Sequence, residues 1–168
     1  MDPADALVEV VDERDHVLEV RTRREVVAEH LLHRCTYALV RRSAGAIYVQ
    51  RRTDTKDLWP GAYDMLPGGI CDAGETYEAC IRRELAEELG IAAAAPVFLR
   101  MHRYEAPDGR AWGGVYMLTW DGPVLDQREE VAWSGWVSPA ELAAMIRERT
   151  FCADSLEIYR TLEAEGLL

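Results

Sequence analysis

The sequence predicts an α/β/α sandwich built on a mixed β-sheet, and three observations carry that prediction. Short apolar or alternating runs recur along the chain with turn residues between them. Helix-start signatures fall before, between and after those runs. The composition, 49% hydrophobic and 29% charged over 168 residues, is that of a globular chain large enough to bury a core. The chain reads as a single domain over 1–168, with 1–33 a hairpin and helix extension of that same domain, and no internal repeat or low-complexity linker divides it.

Each element follows in turn. The runs LVEVVD (7–12) and HVLEV (16–20) flank the polar segment ERD and predict a hairpin. Thr22, with Glu25 three residues later, is a capping-box signature that starts a helix in TRREVVAEHLL. CTYALVRR (35–42) and AIYVQRR (46–52) predict core strands joined by a tight turn at Ser43-Ala44-Gly45. Trp59-Pro60-Gly61 breaks regular structure, and AYDML (62–66) predicts a short strand before the Gly68-Gly69 turn. Thr76 as N-cap and Gly90 as left-handed C-cap bound a helix over 77–89, with Ile81, Leu85 and Leu89 as its apolar stripe. PVFLRMHRY (96–104) and AWGGVYMLTW (111–120) predict a second antiparallel pair around APDGR. EVAWSGWV (130–137) predicts a last strand, with Trp133 and Trp136 as packing residues. Ser138 and Glu141 form another capping box, with Pro139 at the first helical position, so a helix runs to about Arg149. A final helix starts near Asp154, with Glu157 three residues on, and runs to about Glu165.

Charge and cysteine usage narrow the function classes. A net charge of -11 argues against a nucleic-acid polymer as partner, because affinity for such a polymer comes largely from cations that neutralise phosphates. No apolar run approaches the roughly 20 residues of a membrane span, and the acidic start MDPADALVEV lacks the basic and apolar blocks of a signal peptide. The expectation is therefore a cytoplasmic protein with no membrane contact. Cys35, Cys71, Cys80 and Cys152 lack C-x-x-C spacing and read as reduced thiols. His16, His30, His33 and His102 show no ligand spacing and read as structural or surface residues. Oligomeric state is left open, a homodimer included.

The chemistry concentrates in RELAEELG (83–90). Glu84, Glu87 and Glu88 stand at i, i+3 and i+4 on one helical face. Like charges at that spacing cost an isolated helix roughly 0.2–0.5 kcal/mol per pair. A solvated acidic face is the plain reading. A metal site is the functional one, since Mg²⁺ takes hard oxygen ligands, commonly one or two carboxylates plus waters and substrate phosphates. The glutamates centre about 100° around the helix from the apolar stripe, so one face packs and its neighbour is left for chemistry.

Context decides between the two. From Gly69 to Ile91 the chain satisfies G-x5-E-x7-R-E-U-x-E-E-x-G-U, with U apolar. A chance match has a probability on the order of one in a million for this composition. The stretch is identified as a Nudix box, and the chain resembles the Nudix hydrolases. That resemblance implies attack by water on phosphorus in a nucleoside diphosphate linked to another group, with Mg²⁺, or Mn²⁺ in its place, and a small-molecule diphosphate as partner. It implies Glu84, Glu87 and Glu88 as metal ligands, one of them also a candidate base, and the carbonyl of Gly69 as a further ligand. Glu75 and Arg83 become structural partners that fix the loop against the helix. Glu130, with Glu129 as fallback, becomes a base from a late loop.

Arg51, Arg52 and Lys56 are candidates for the diphosphate oxygens, since guanidinium forks bind phosphate bidentately; the alternative is a set of strand-end surface cations. Tyr63 and Trp112 are candidates for a pocket wall or base stack, against an ordinary core role. The run QRRTDTKDLWPGAYD (50–64) resembles a Nudix subgroup related to isopentenyl-diphosphate isomerase, across roughly residues 7–140. That enzyme moves a proton, using a cysteine immediately before the glycine that matches Gly69, and its box is degenerate. Here Gly68 holds that place, Cys71 does not match it, and the box is complete. The expectation is a diphosphate hydrolase on an isomerase-like frame. Isomerase activity and a non-catalytic nucleotide- or metabolite-binding domain are the alternatives.

Overall fold

The computed structural model describes residues 2–56, 58–127 and 129–168. After a 3₁₀ turn at Pro3–Asp5 come β1 (Leu7–Val11), β2 (Val17–Thr22), α1 (Arg23–Ala28), β3 (His33–Arg41), β4 (Ile47–Arg52) and β5 (Tyr63–Asp64). The chain continues with α2 (Tyr77–Leu89), β6 (Val97–Ala106), β7 (Gly109–Thr119), β8 (Val131–Val137), α3 (Pro139–Glu148) and α4 (Ala153–Ala164). The capping boxes expected at Thr22/Glu25 and Ser138/Glu141 are both formed. α2 has Thr76 as its N-cap and ends on Gly90 in the left-handed region at φ 68°. The final helix differs at its start: Cys152 is the N-cap with no side-chain cap bond, and Asp154 lies inside the first turn.

The sheet is mixed, as expected, but the strands flanking Ser43-Ala44-Gly45 do not form a hairpin along their length. β3 and β4 pair only at Arg41 with Ile47. Beyond that point β3 runs parallel to β7, from His33 opposite Ala111 to Arg41 opposite Thr119, while β4 runs antiparallel to β8. A parallel pair needs a long crossover connection, and the chain between β3 and β7 includes α2. The two strands therefore open away from their shared turn. Into the opening beside β3 comes the segment 67–71, held by Ala38 N–H to the Pro67 carbonyl at 2.9 Å, Thr36 N–H to the Gly69 carbonyl at 2.8 Å and Cys71 N–H to the Arg34 carbonyl at 3.0 Å.

Alternation along β3 builds the two apolar layers. Ala38 and Val40 face Ile81, Leu85 and Leu89 of α2. Tyr37 and Leu39 face the opposite way, into a cluster that holds Leu142 of α3 and Ile158 and Leu162 of α4. The result is helix, sheet, helix. A smaller cluster of Val8, Val10 and Val26 ties the N-terminal hairpin to α1. Among the described residues no helix is long and apolar enough to cross a membrane.

Candidate active site

The acidic face of α2 opens onto a cleft of about 360 Å³ whose lining includes Glu84, Glu87, Glu88, Glu130, Arg52 and Lys56. At its floor Oε2 of Glu88 is buried and has no hydrogen-bond partner among the described residues. Burial pushes the Glu88 carboxyl well above the usual range, and Glu84, Asp64 and Glu130 push it the same way. Burial also raises Glu84, against the opposing pull of Arg83. A buried carboxylate oxygen with neither donor nor proton is costly. A proton, a donor or a cation would relieve that cost.

Part of the compensation is built in. Arg83 donates from Nε and Nη2 to the two oxygens of Glu75, at 3.0 and 2.9 Å, and from Nη2 to the Ile70 carbonyl at 3.2 Å. Its Nη1 reaches Glu84 at 2.6 Å and Glu87 at 3.2 Å. The guanidinium thus stands among the glutamates and relieves the repulsion that their spacing creates. Across the cleft Lys56 Nζ pairs with Glu130 Oε2 at 2.9 Å. The Glu130 carbonyl accepts from Thr53 N–H at 3.0 Å, which ties this late loop to the end of β4. Gln127 Nε2 donates to the Glu87 carbonyl at 2.8 Å and closes the loop over α2. Among the described residues no set of three or more His, Cys, Asp and Glu converges tightly enough to grip a metal unaided.

The two glycines are fixed by close approach. A Cβ at Gly68 would stand 2.0 Å from the Thr36 carbonyl oxygen, and one at Gly69 would stand 2.4 Å from Glu84 Oε1. The Gly69 carbonyl, expected as a metal ligand, instead turns into the sheet toward Thr36 N–H. Pro67 turns the same way, whereas the Ile70 carbonyl faces Arg83 on the α2 side.

The cleft continues into a second cavity of about 160 Å³, the two sharing Arg23, Arg52, Gly68, Gly69 and Ile70 as walls. Tyr37, Trp59 and Tyr104 line this cavity, with Asp108 and Asp154. Trp59 adopts φ 48° directly before Pro60. An α-type backbone is disfavoured before proline and a left-handed one is rare for a bulky residue, at a cost of about 1–3 kcal/mol. The indole is held by Nε1–H donating to Asp108 Oδ2 at 2.9 Å, and Asp108 Oδ1 accepts from Tyr104 OH at 2.7 Å. Asp154 accepts from Tyr37 OH at 3.1 Å and from Ser155 N–H at 2.7 Å. Burial, then the neighbouring Asp64, pushes its carboxyl up to about 7.

Several expected residues lie elsewhere. Arg51 points away from both cavities and pairs with Asp54 at 2.9 Å, because successive residues of β4 face opposite sides; Arg52 keeps the cleft side. Tyr63 packs on Trp133 and Phe151, and Trp112 donates to the Asp12 carbonyl; neither lines the cleft or the second cavity. Glu129 is exposed and outside the cleft lining. The four cysteines are free and buried. Arg23, Trp59, Asp64, Asp108 and Asp154 were not singled out from sequence. The one available signal was Trp59-Pro60, read there only as a breaker.

Comparison with known proteins places this geometry. Residues 31–161 match the NUDIX domain. An uncharacterized Nudix hydrolase of Streptomyces coelicolor is 40% identical over 166 residues, covering 98% of this chain and 92% of the relative. The uncharacterized Nudix hydrolase YfcD of Escherichia coli is 37% identical over 150 residues, covering 89% and 82%. The crystal structure of DR0079 from Deinococcus radiodurans superimposes with a TM-score of 0.77 at 29% identity, covering 92% of this chain and 98% of that one.

Proposed function

The chain belongs to the Nudix family of hydrolases, and from that premise we propose a Mg²⁺- or Mn²⁺-dependent hydrolase that cleaves a diphosphate linkage in a nucleoside diphosphate derivative or related small organic diphosphate, in the cytoplasm. The observation that carries this reading is the buried Oε2 of Glu88, unpartnered among the described residues and set beside Glu84 and Glu87 in a cleft with cations on the facing wall. That donor set fits a hard divalent ion. Glu84, Glu87 and Glu88 would hold it. The Gly68 carbonyl, between two that turn toward β3, replaces Gly69's as the backbone ligand in this reading. Once bound, the ion would acidify water and polarise phosphoryl oxygens.

The remaining roles fall to the protein. Arg52 and Lys56 stand where diphosphate oxygens enter, with Arg23 beside them, and Arg51 has no part. Lys56 pins Glu130 over the cleft, where it can take a proton from the attacking water once substrate oxygens compete for the lysine. Arg83 stays clamped to Glu75 and keeps the α2 face in place.

The isomerase-like frame read from 50–64 remains a frame in this proposal and not an activity. A cysteine side chain at 68 would collide with the Thr36 carbonyl, and Cys71 is buried. The test is a panel of nucleotides, nucleotide sugars, dinucleoside polyphosphates and isoprenoid diphosphates, with and without Mg²⁺, followed by Glu88→Gln. We expect Mg²⁺-dependent release of phosphate-containing products, and a loss of roughly 10²-fold or more in kcat on removing this carboxylate, with the circular dichroism spectrum unchanged. No turnover of any panel member by folded protein, or a fully active Glu88→Gln, would overturn the proposal.

A further inference from the structure

The 160 Å³ cavity beside the acidic cleft has its own chemistry. A cavity of roughly 150 Å³ accommodates one benzene-sized ring. A fused two-ring base exceeds that volume and would have to reach back into the adjoining cleft or displace the walls, and close-packed walls resist displacement. Two of these walls are tied down: Trp59 and Tyr104 are both hydrogen-bonded to Asp108, at 2.9 and 2.7 Å. Holding a tryptophan at φ 48° before a proline is unfavourable, and such strain persists only where the surroundings over-determine it. An indole fixed in this way gives the cavity a rigid aromatic wall, a platform on which a planar ring could stack.

Other lining groups are polar. The Asp154 carboxyl accepts from Tyr37 OH on one oxygen and from the Ser155 backbone N–H on the other. Near neutrality the raised Asp154 carboxyl exists partly as the acid, which presents a donor beside an acceptor. A purely apolar tail would make no use of the hydrogen-bonding capacity these groups have left. A planar ring with heteroatoms on its edge uses both the platform and the polar groups. The shared walls Arg52, Gly68 and Gly69 join this cavity to the cleft where the diphosphate would lie.

Resting on the hydrolase reading above, we propose that this cavity takes the base of the substrate and that the base is a single six-membered ring, so that pyrimidine nucleoside diphosphates and their derivatives are preferred over purine ones. Trp59 stacks on the base. Asp108 is a positioning residue that acts through Trp59, and the Asp154–Tyr37 pair reads the ring edge.

The test separates binding from turnover. Calorimetric titration of metal-free full-length protein with CMP, UMP, AMP and GMP is expected to show CMP or UMP bound at least about tenfold more tightly than either purine nucleotide. Trp59→Ala should weaken pyrimidine binding by about 10- to 100-fold, the range of base stacking on an aromatic side chain. Asp108→Asn, which keeps the Trp59 ring, should give a smaller loss; in steady-state assays of CDP or UDP with Mg²⁺ it should raise KM more than it lowers kcat. Equal or tighter purine binding overturns the proposal. So does an absence of measurable binding by all four nucleotides, or a pyrimidine preference that survives Trp59→Ala. Should the Trp59 variant fail to fold, the wild-type ranking and Asp108→Asn still decide. Hydrolysis without base preference defeats this inference alone; pyrimidine-selective binding without any hydrolysis defeats the hydrolase reading and leaves the cavity assignment standing.

Discussion

Asp154→Asn tests the electrostatics of the second cavity without touching the acidic cleft. In the folded protein the Asp154 carboxyl is raised from the ordinary 3.8 to about 7, first by burial and then by the charge of Asp64. The folded state therefore keeps this proton to higher pH than the unfolded state does. The sign follows: stability is lost as pH climbs from about 4 through about 7, and the loss is complete above that. A shift of about three units at 1.36 kcal/mol each sets a ceiling near 4 kcal/mol. Asp154 is half-buried at a cavity that water can enter, so about 2 kcal/mol is the realistic size. Asparagine keeps the shape and removes the charge. Urea denaturation of wild type and Asp154→Asn, in chelator at several values between pH 4.5 and 8.5, measures the difference directly. The variant should gain about 2 kcal/mol on wild type between the two ends of that range, with most of the change between pH 5 and 7.5. The other acids titrate in both proteins and cancel to first order. A stability difference that stays flat across the range would refute the reasoning.

Two further outcomes follow from the acidic cleft. Gly69→Ala places a methyl 2.4 Å from Glu84 Oε1, so the carboxylate must swing away; kcat on any turned-over diphosphate should fall by about tenfold or more, because small displacements of catalytic groups cost that much, and an unimpaired variant would show that Glu84 has no fixed role. Millimolar Mg²⁺ at about 100 times its dissociation constant should stabilise the wild type by about 2.7 kcal/mol, a rise in Tm of about 5–10 °C for a chain of this size, and Glu88→Gln should lose most of that rise in a thermal-shift assay.

The parts of the fold legible in the sequence are those written in local chemistry. Thr76, Gly90 and the Ile81, Leu85, Leu89 stripe fix α2 from within its own span, and the structure agrees residue for residue. Thr22/Glu25 and Ser138/Glu141 do the same for two other helix starts. The separation of β3 from β4 was hidden because it depends on β7 and β8, which lie far along the chain and compete for those edges. The same distinction divides the site. The spacing of Glu84, Glu87 and Glu88 gives the shared face, but the burial of Glu88 depends on the loop that brings Glu130 and Gln127 across α2. Period-two alternation in β4 already separates Arg51 from Arg52, a signal present in the sequence that was not used. The cavity beside the cleft was invisible, because Trp59, Tyr104 with Asp108, and Asp154 come from three distant segments and meet only through tertiary packing.

In the proposed metal site, Arg83 would let one helical face hold this much negative charge and still admit a divalent ion. Its Nε and Nη2 are committed to Glu75 and the Ile70 carbonyl, partners outside the acidic cluster. Only Nη1 reaches Glu84 and Glu87. An ion arriving at those carboxylates would compete with the two N–H bonds of Nη1 and not with the whole fork. The arginine could yield those contacts without losing its anchor, so the loop 69–75 would not need to move on filling the site. A lysine at this position has one ammonium for every partner and lacks the planar fork that makes the division possible. In this proposal the pattern R-E-U-x-E-E (83–88) carries two separable functions: Arg83 anchors to Glu75 upstream as a fixed scaffold, and Glu84, Glu87 and Glu88 supply oxygens whose charge is only partly neutralised, which leaves the attraction a divalent cation would need.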